Sequence, residues 1–119
     1  SYKGEQMSKL KGKVEHYIAA SNELGLDLSA DLIGKITEDL IPAVYSHDSE
    51  TVACSDSAEL ETVKKNFLQN KLGIDADEAD LDAAIKEVCE AMGTSNTHKY
   101  RVLFYALLTK KFGKESIYA

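Results

Sequence analysis

Val102-Leu103-Phe104-Tyr105-Ala106-Leu107-Leu108 is a run of seven mostly apolar residues, and it leaves no polar face at any helical register. A helix that is apolar all round is buried inside a bundle, not laid on its surface. The helix carrying the run is predicted to start after Ser95 or Asn96. Lys110 and Lys111 fall near its end, where the helix dipole favours cations.

Working outward from this run, the preceding segments supply the layers that would cover it. The acidic link Ile74 to Asp80 leads to a helix capped by Asp80 or Asp77, with Leu81, Ile85, Val88, Cys89 and Met92 inward and Gly93 closing it. Before it, Asp56 caps a helix with Glu59 in the capping-box position. Its apolar stripe is Leu60, Val63, Phe67, Leu68 and Leu72, Glu61 and Lys65 form an i,i+4 pair, and Gly73 is the stop. Ser29 caps a further helix with Leu32, Ile33, Ile36, Leu40 and Ile41 on one face. Pro42, the only proline, should end or kink it, with a resumption through Ala43 to Tyr45. The first helix runs from about Gln6 to Asn22, with Met7, Leu10, Val14, Tyr17 and Ile18 recurring at threes and fours. The stretch Ser46 to Ser55 has no clear periodicity and reads as a loop. No segment alternates at the strand period over a useful length. The expectation is an all-α fold in one domain over residues 1–119, a bundle of about five helices around a buried C-terminal helix. A faint echo between residues 30–36 and 79–85 goes no further than the composition that amphipathic helix starts share.

Composition narrows the function. A chain of 119 residues that is 44% hydrophobic can build one core and has no room for a second domain. A net charge of -6 argues against a dedicated nucleic-acid binder, which must neutralise phosphates, and against an anionic membrane surface. No apolar stretch approaches the length that spans a bilayer, and the basic N-terminal segment is not followed by the apolar run of a leader, so the default address is the cytoplasm. Cys54 and Cys89 have neither CxxC spacing nor the density of a secreted scaffold and read as reduced thiols; a disulfide between them is the alternative.

Most chemical constellations fail on spacing. Asp75, Asp77 and Asp80 are clustered oxygen donors, but counting from Asp75 an EF-hand would need Gly where Asp80 stands and Glu where Lys86 stands. No two of His16, His47, His98, Cys54 and Cys89 lie at i,i+3 or i,i+4, so no metal site is read. Asp56-Ser57-Ala58 departs from the Asp-Ser-Leu of acyl carriers. Nucleotide fingerprints are absent and no cofactor is implied. An enzyme alternative places Cys54 as nucleophile and His47 as base in the loop 47–56, although the surrounding acids would raise a thiol pKa.

The anomaly lies ahead of the apolar run. Helix N-termini favour acids, yet Ser95-Asn96-Thr97-His98-Lys99-Tyr100-Arg101 contains none. Residues 97–119 carry net +4 and residues 1–96 net -10, so the charge is segregated. Free amides, hydroxyls and cations at one helix end are the parts of an anion site. The leading expectation is therefore a non-enzymatic binding or interaction module that recognises a phosphate-like anion or an acidic protein partner through Ser95, Asn96, Thr97, Lys99 and Arg101. The competing account is an internal clamp in which Lys99 and Arg101 pair with acids of the third and fourth helices. A structural or assembly subunit is the third reading.

The blocks VACSDSAELETVKKNFLQNKLGI, ADLDAAIKEVCEAMG and SNTHKYRVLFYALLTKKFGKESIYA resemble a bacterial family of small proteins, domain of unknown function 2853, over roughly residues 40–118. The resemblance implies a compact helical fold and a bacterial cytosolic setting, and supplies no catalytic residue.

Overall fold

The computed structural model describes the backbone of residues 2–119 and the side chains from Gly4 onward. Five helices form, α1 (Tyr2–Glu23), α2 (Ala30–Asp39), α3 (Ser57–Thr62), α4 (Glu78–Ala91) and α5 (Arg101–Lys111), and no strand is present among the described residues. α5 is the central element. Val102 to Ala106, Leu108 and Thr109 are all buried, and the helix packs against α1, α2 and α4. An all-apolar surface has nowhere else to go, because each face must leave water to contribute its roughly 25 cal/mol per Å².

The local signals before α5 act largely as their chemistry dictates. The Ser29 hydroxyl accepts the Leu32 amide at 3.1 Å and starts α2, whose Leu32, Ile33 and Ile36 enter the core while Ile41 remains 45% exposed. After the cis Ile41-Pro42 bond the chain makes one 3-10 turn, Ala43–Tyr45, which returns Val44 to the core. The Asp56 carboxylate accepts the amides of Ala58 and Glu59 at 3.0 and 3.3 Å and caps α3. Asp77, the second of the two expected residues, takes the cap position of α4. Gly25, Gly73, Gly93 and Gly113 all take positive φ, the conformation that lets a chain leave a helix sharply.

Three expectations need correction. The third helix is not uniform: α3 gives way without a break to a π-helical segment, Val63–Lys71, in which the Leu72 amide reaches back five residues to the Phe67 carbonyl. Buried Val63, Lys64, Phe67 and Leu68 are spaced by fours, which suits either helix type, so the pattern could not separate them. Met7, expected in the apolar stripe of α1, is 63% exposed, at a helix start where residues 4–9 are all exposed.

The largest change is at the start of α5, which begins at Arg101 and not after Ser95 or Asn96. Asn96 builds a turn: its side-chain amide donates to the Met92 carbonyl and its side-chain oxygen accepts the His98 amide, both at 2.9 Å. Beyond it, residues 99–101 run antiparallel to 50–52. The Val52 amide donates to the Lys99 carbonyl at 2.8 Å and the Arg101 amide to the Glu50 carbonyl at 2.7 Å, around an isolated Thr51–Tyr100 bridge. Donors and acceptors claimed by a distant segment cannot also close a helical turn.

Candidate functional site

Arg101, the first residue of α5, turns its guanidinium inward. Nε donates to the Ser49 carbonyl at 2.7 Å, Nη1 to the Tyr105 hydroxyl at 3.1 Å and Nη2 to the Thr51 carbonyl at 3.2 Å, and Nη2 also pairs with the Glu59 carboxylate of α3. Glu59, which the capping-box pattern would send back to its own helix end, is used here instead. Burial works against this charge, but Tyr105 and Glu59 outweigh it and hold the guanidinium above its ordinary pKa. One planar fork thus joins the 49–51 segment, α3 and α5. Arg101 is the clamp that the competing account described, and its donors are taken.

The rest of the charge segregation resolves in the same way. Lys110 meets Asp27 at 2.8 Å and Lys111 pairs with Glu87 of α4. The basic C-terminal region is held against acids of the earlier helices and their loops.

Lys99 stands apart from this scheme. It is buried at 7% exposure, and its ammonium donates to the Asn96 carbonyl at 2.6 Å. No carboxylate lies within ion-pair distance of it among the described residues. The contrast is Lys64, equally buried, whose ammonium is surrounded by Glu61, Glu78 and Asp82 at 3.0 to 3.1 Å. The hydrogen bonds that Lys64 donates to Glu61 and Asp82 overcome its desolvation and raise its pKa. Lys99 lines a cleft of about 320 Å³ with Val52, Ala53, Cys54, Ser55, Thr94, Asn96 and Thr97. Asn96, Thr97 and Lys99 of the expected set therefore share one site, whereas Arg101 faces the clamp and Ser95 is an exposed residue of the turn outside the cleft lining.

Cys54 and Cys89 are joined by a disulfide with Cα atoms 6.1 Å apart. The bond corrects the expectation of two reduced thiols, and with it goes the support those thiols lent to a reducing compartment. It also leaves no free thiolate at Cys54 for the enzyme alternative, and His47 is exposed in the 46–50 turn. Spacing could not foresee the pair, because the two residues are 35 apart in sequence and meet only when the 52–56 segment packs on α4.

Glu50 is the functional-looking residue that no sequence signal marked. Its carboxylate accepts from Lys13 at 2.7 Å and from the Tyr17 hydroxyl at 2.5 Å, tying α1 to the segment that carries the cleft. Burial pushes its pKa up. The hydrogen bonds from Lys13 and Tyr17, together with the charges of Lys13 and His16, outweigh that effect and leave it below the usual 4.5. A carboxyl lowered on folding stabilises fully above its unfolded pKa, and that contribution is lost as pH falls through the folded value. The melting advantage of the native protein over Glu50→Gln should therefore stay constant from pH 7 down to about 5 and shrink below that. An advantage unchanged at pH 3 would contradict the assignment. Next to this network, the His16 ring nitrogen lies 2.9 Å from the Tyr100 hydroxyl, and with His98 these rings line a neighbouring cleft of about 300 Å³.

No helix among the described residues is long and apolar enough to cross a membrane, and no group of three or more His, Cys, Asp or Glu side chains there is placed to hold a metal ion. No curated protein matches the chain. A family model described as protein of unknown function, DUF2853, matches residues 15–116, extending the likeness through the second part of α1. With all but a short stretch at each end covered by that model, and an all-helical fold to go with it, the chain belongs to the DUF2853 family.

Proposed function

We propose that this protein is a non-enzymatic binding module that takes a small anion into the cleft between residues 52–55 and 94–99, with Lys99 as its charge partner. The observation that carries the reading is the buried Lys99 ammonium, which has one carbonyl acceptor and no counter-charge. Burying a charge without pairing it is costly, and the fold avoids that cost at Lys64 with three carboxylates. An anion in the cleft would supply what Lys99 lacks. The Ser55, Thr94 and Thr97 hydroxyls of the same cleft make no hydrogen bond within the described residues and are available as donors. Arg101 serves this site indirectly, by holding the 49–51 segment that leads into the cleft wall.

Titration of the oxidised, isotope-labelled protein with phosphate and then with propionate tests the reading. Saturable amide shifts are expected at residues 52–55 and 94–99, and Lys99→Met, which keeps the apolar stem and removes the charge, should abolish them. Shifts that are linear in concentration, or equal in the variant, would show only screening by salt.

A further inference from the structure

We propose that the Cys54–Cys89 disulfide is a thiol-exchange site whose substrate is a low-molecular-weight thiol carrying a carboxylate. The carboxylate docks on Lys99 while the thiolate attacks Cys54 Sγ. This rests on the reading of Lys99 as an anion partner and adds the chemical class of the ligand and the reaction it undergoes.

Three features of the fold converge on it. Cys54 lines the Lys99 cleft, so an anion docked there would lie beside a disulfide-bonded residue. Cys54 also lines the groove of about 430 Å³ between α3 and α4, whose walls include Leu60, Ile85 and Cys89. Exchange proceeds by attack of a thiolate on one sulfur with departure of the other. A nucleophile entering from the Lys99 cleft would expel Cys89, which lines the α3–α4 groove, where the acids Glu61 and Asp82 are already engaged by Lys64. Finally, opening the bond does not free the segment, because residues 50–52 stay paired with 99–101 and Arg101 still holds Ser49, Thr51 and Glu59. The reaction is open to the folded protein.

The balance is simple. The thiolate RS⁻ forms R–S–S–Cys54 as the Cys54–Cys89 bond breaks, and the electron pair leaves on Cys89 Sγ, which takes a proton from water. A second thiol can then attack the mixed disulfide to give RSSR and the Cys54 thiol, so that two thiols are oxidised and one protein disulfide is reduced.

The test compares 3-mercaptopropionate, 2-mercaptoethanol and cysteamine on the native protein. Rates are normalised to thiolate concentration, repeated in concentrated urea, and followed by mass mapping of the adduct. The anionic thiol should react on the order of tenfold faster than the neutral one and faster still than the cationic one. The preference should vanish in urea and in Lys99→Met, and the adduct should map to Cys54. Equal rates for the three thiols, reaction only in urea, or an adduct on Cys89 would overturn the proposal. The thiol series needs no variant, so it decides the matter even if Lys99→Met fails to fold. Propionate binding without a kinetic preference would sink the exchange reaction alone; absence of both would remove the anion reading as well.

Discussion

Arg101→Met is expected to lower the unfolding free energy by about 3–5 kcal/mol, because it strands a carboxylate and two carbonyls that the guanidinium satisfies. The Arg101 side chain is 12% exposed, and its guanidinium satisfies Ser49, Thr51, Tyr105 and Glu59 together. Loss of one exposed ion pair would cost well under half as much. Arg101→Lys restores the charge without the planar fork and should recover only part of the loss. Urea denaturation of the two variants and the native chain measures this as a fall in midpoint at constant slope. A loss below about 1 kcal/mol for the methionine variant would mean that water replaces the fork adequately and that the clamp is an ordinary surface contact.

Removing the disulfide, as Cys54→Ala with Cys89→Ala, should cost about 4 kcal/mol. The bond closes a loop of 35 residues, and the entropy it withholds from the unfolded chain grows with the logarithm of that length. For a chain of this size the melting temperature should fall by about 15 °C. The variant should still fold, since α5 and its neighbours retain their buried surface. Calorimetry of oxidised and substituted protein in the absence of reductant makes the comparison. A shift of only a few degrees would indicate that the 49–56 segment is already held in the unfolded ensemble, or that the bridge to residues 99–101 does the holding. The two perturbations act on one segment, so combining them with Arg101→Met should give a loss that differs from the sum.

The sequence determined the helices because their signals are local. The Ser29 and Asp56 caps, the break before Pro42, and Gly73 and Gly93 each act within one or two turns, and each appears where read. The run Val102 to Leu108, buried except at the half-buried Leu107, likewise declares its place at the centre, since a helix without a polar face has no stable position at the surface. The family resemblance was legible for the same reason, being carried by continuous runs.

What the sequence could not decide is what lies against what. The shift of the α5 start to Arg101, the π-helical turns after Thr62, the sulfur bridge, and the division of labour between Lys99 and Arg101 all depend on contacts between residues far apart in the chain. Two cations separated only by Tyr100 in one basic stretch look alike as letters. Packing turns one toward four waiting acceptors and leaves the other buried beside a cleft, a difference in surroundings that no local pattern encodes.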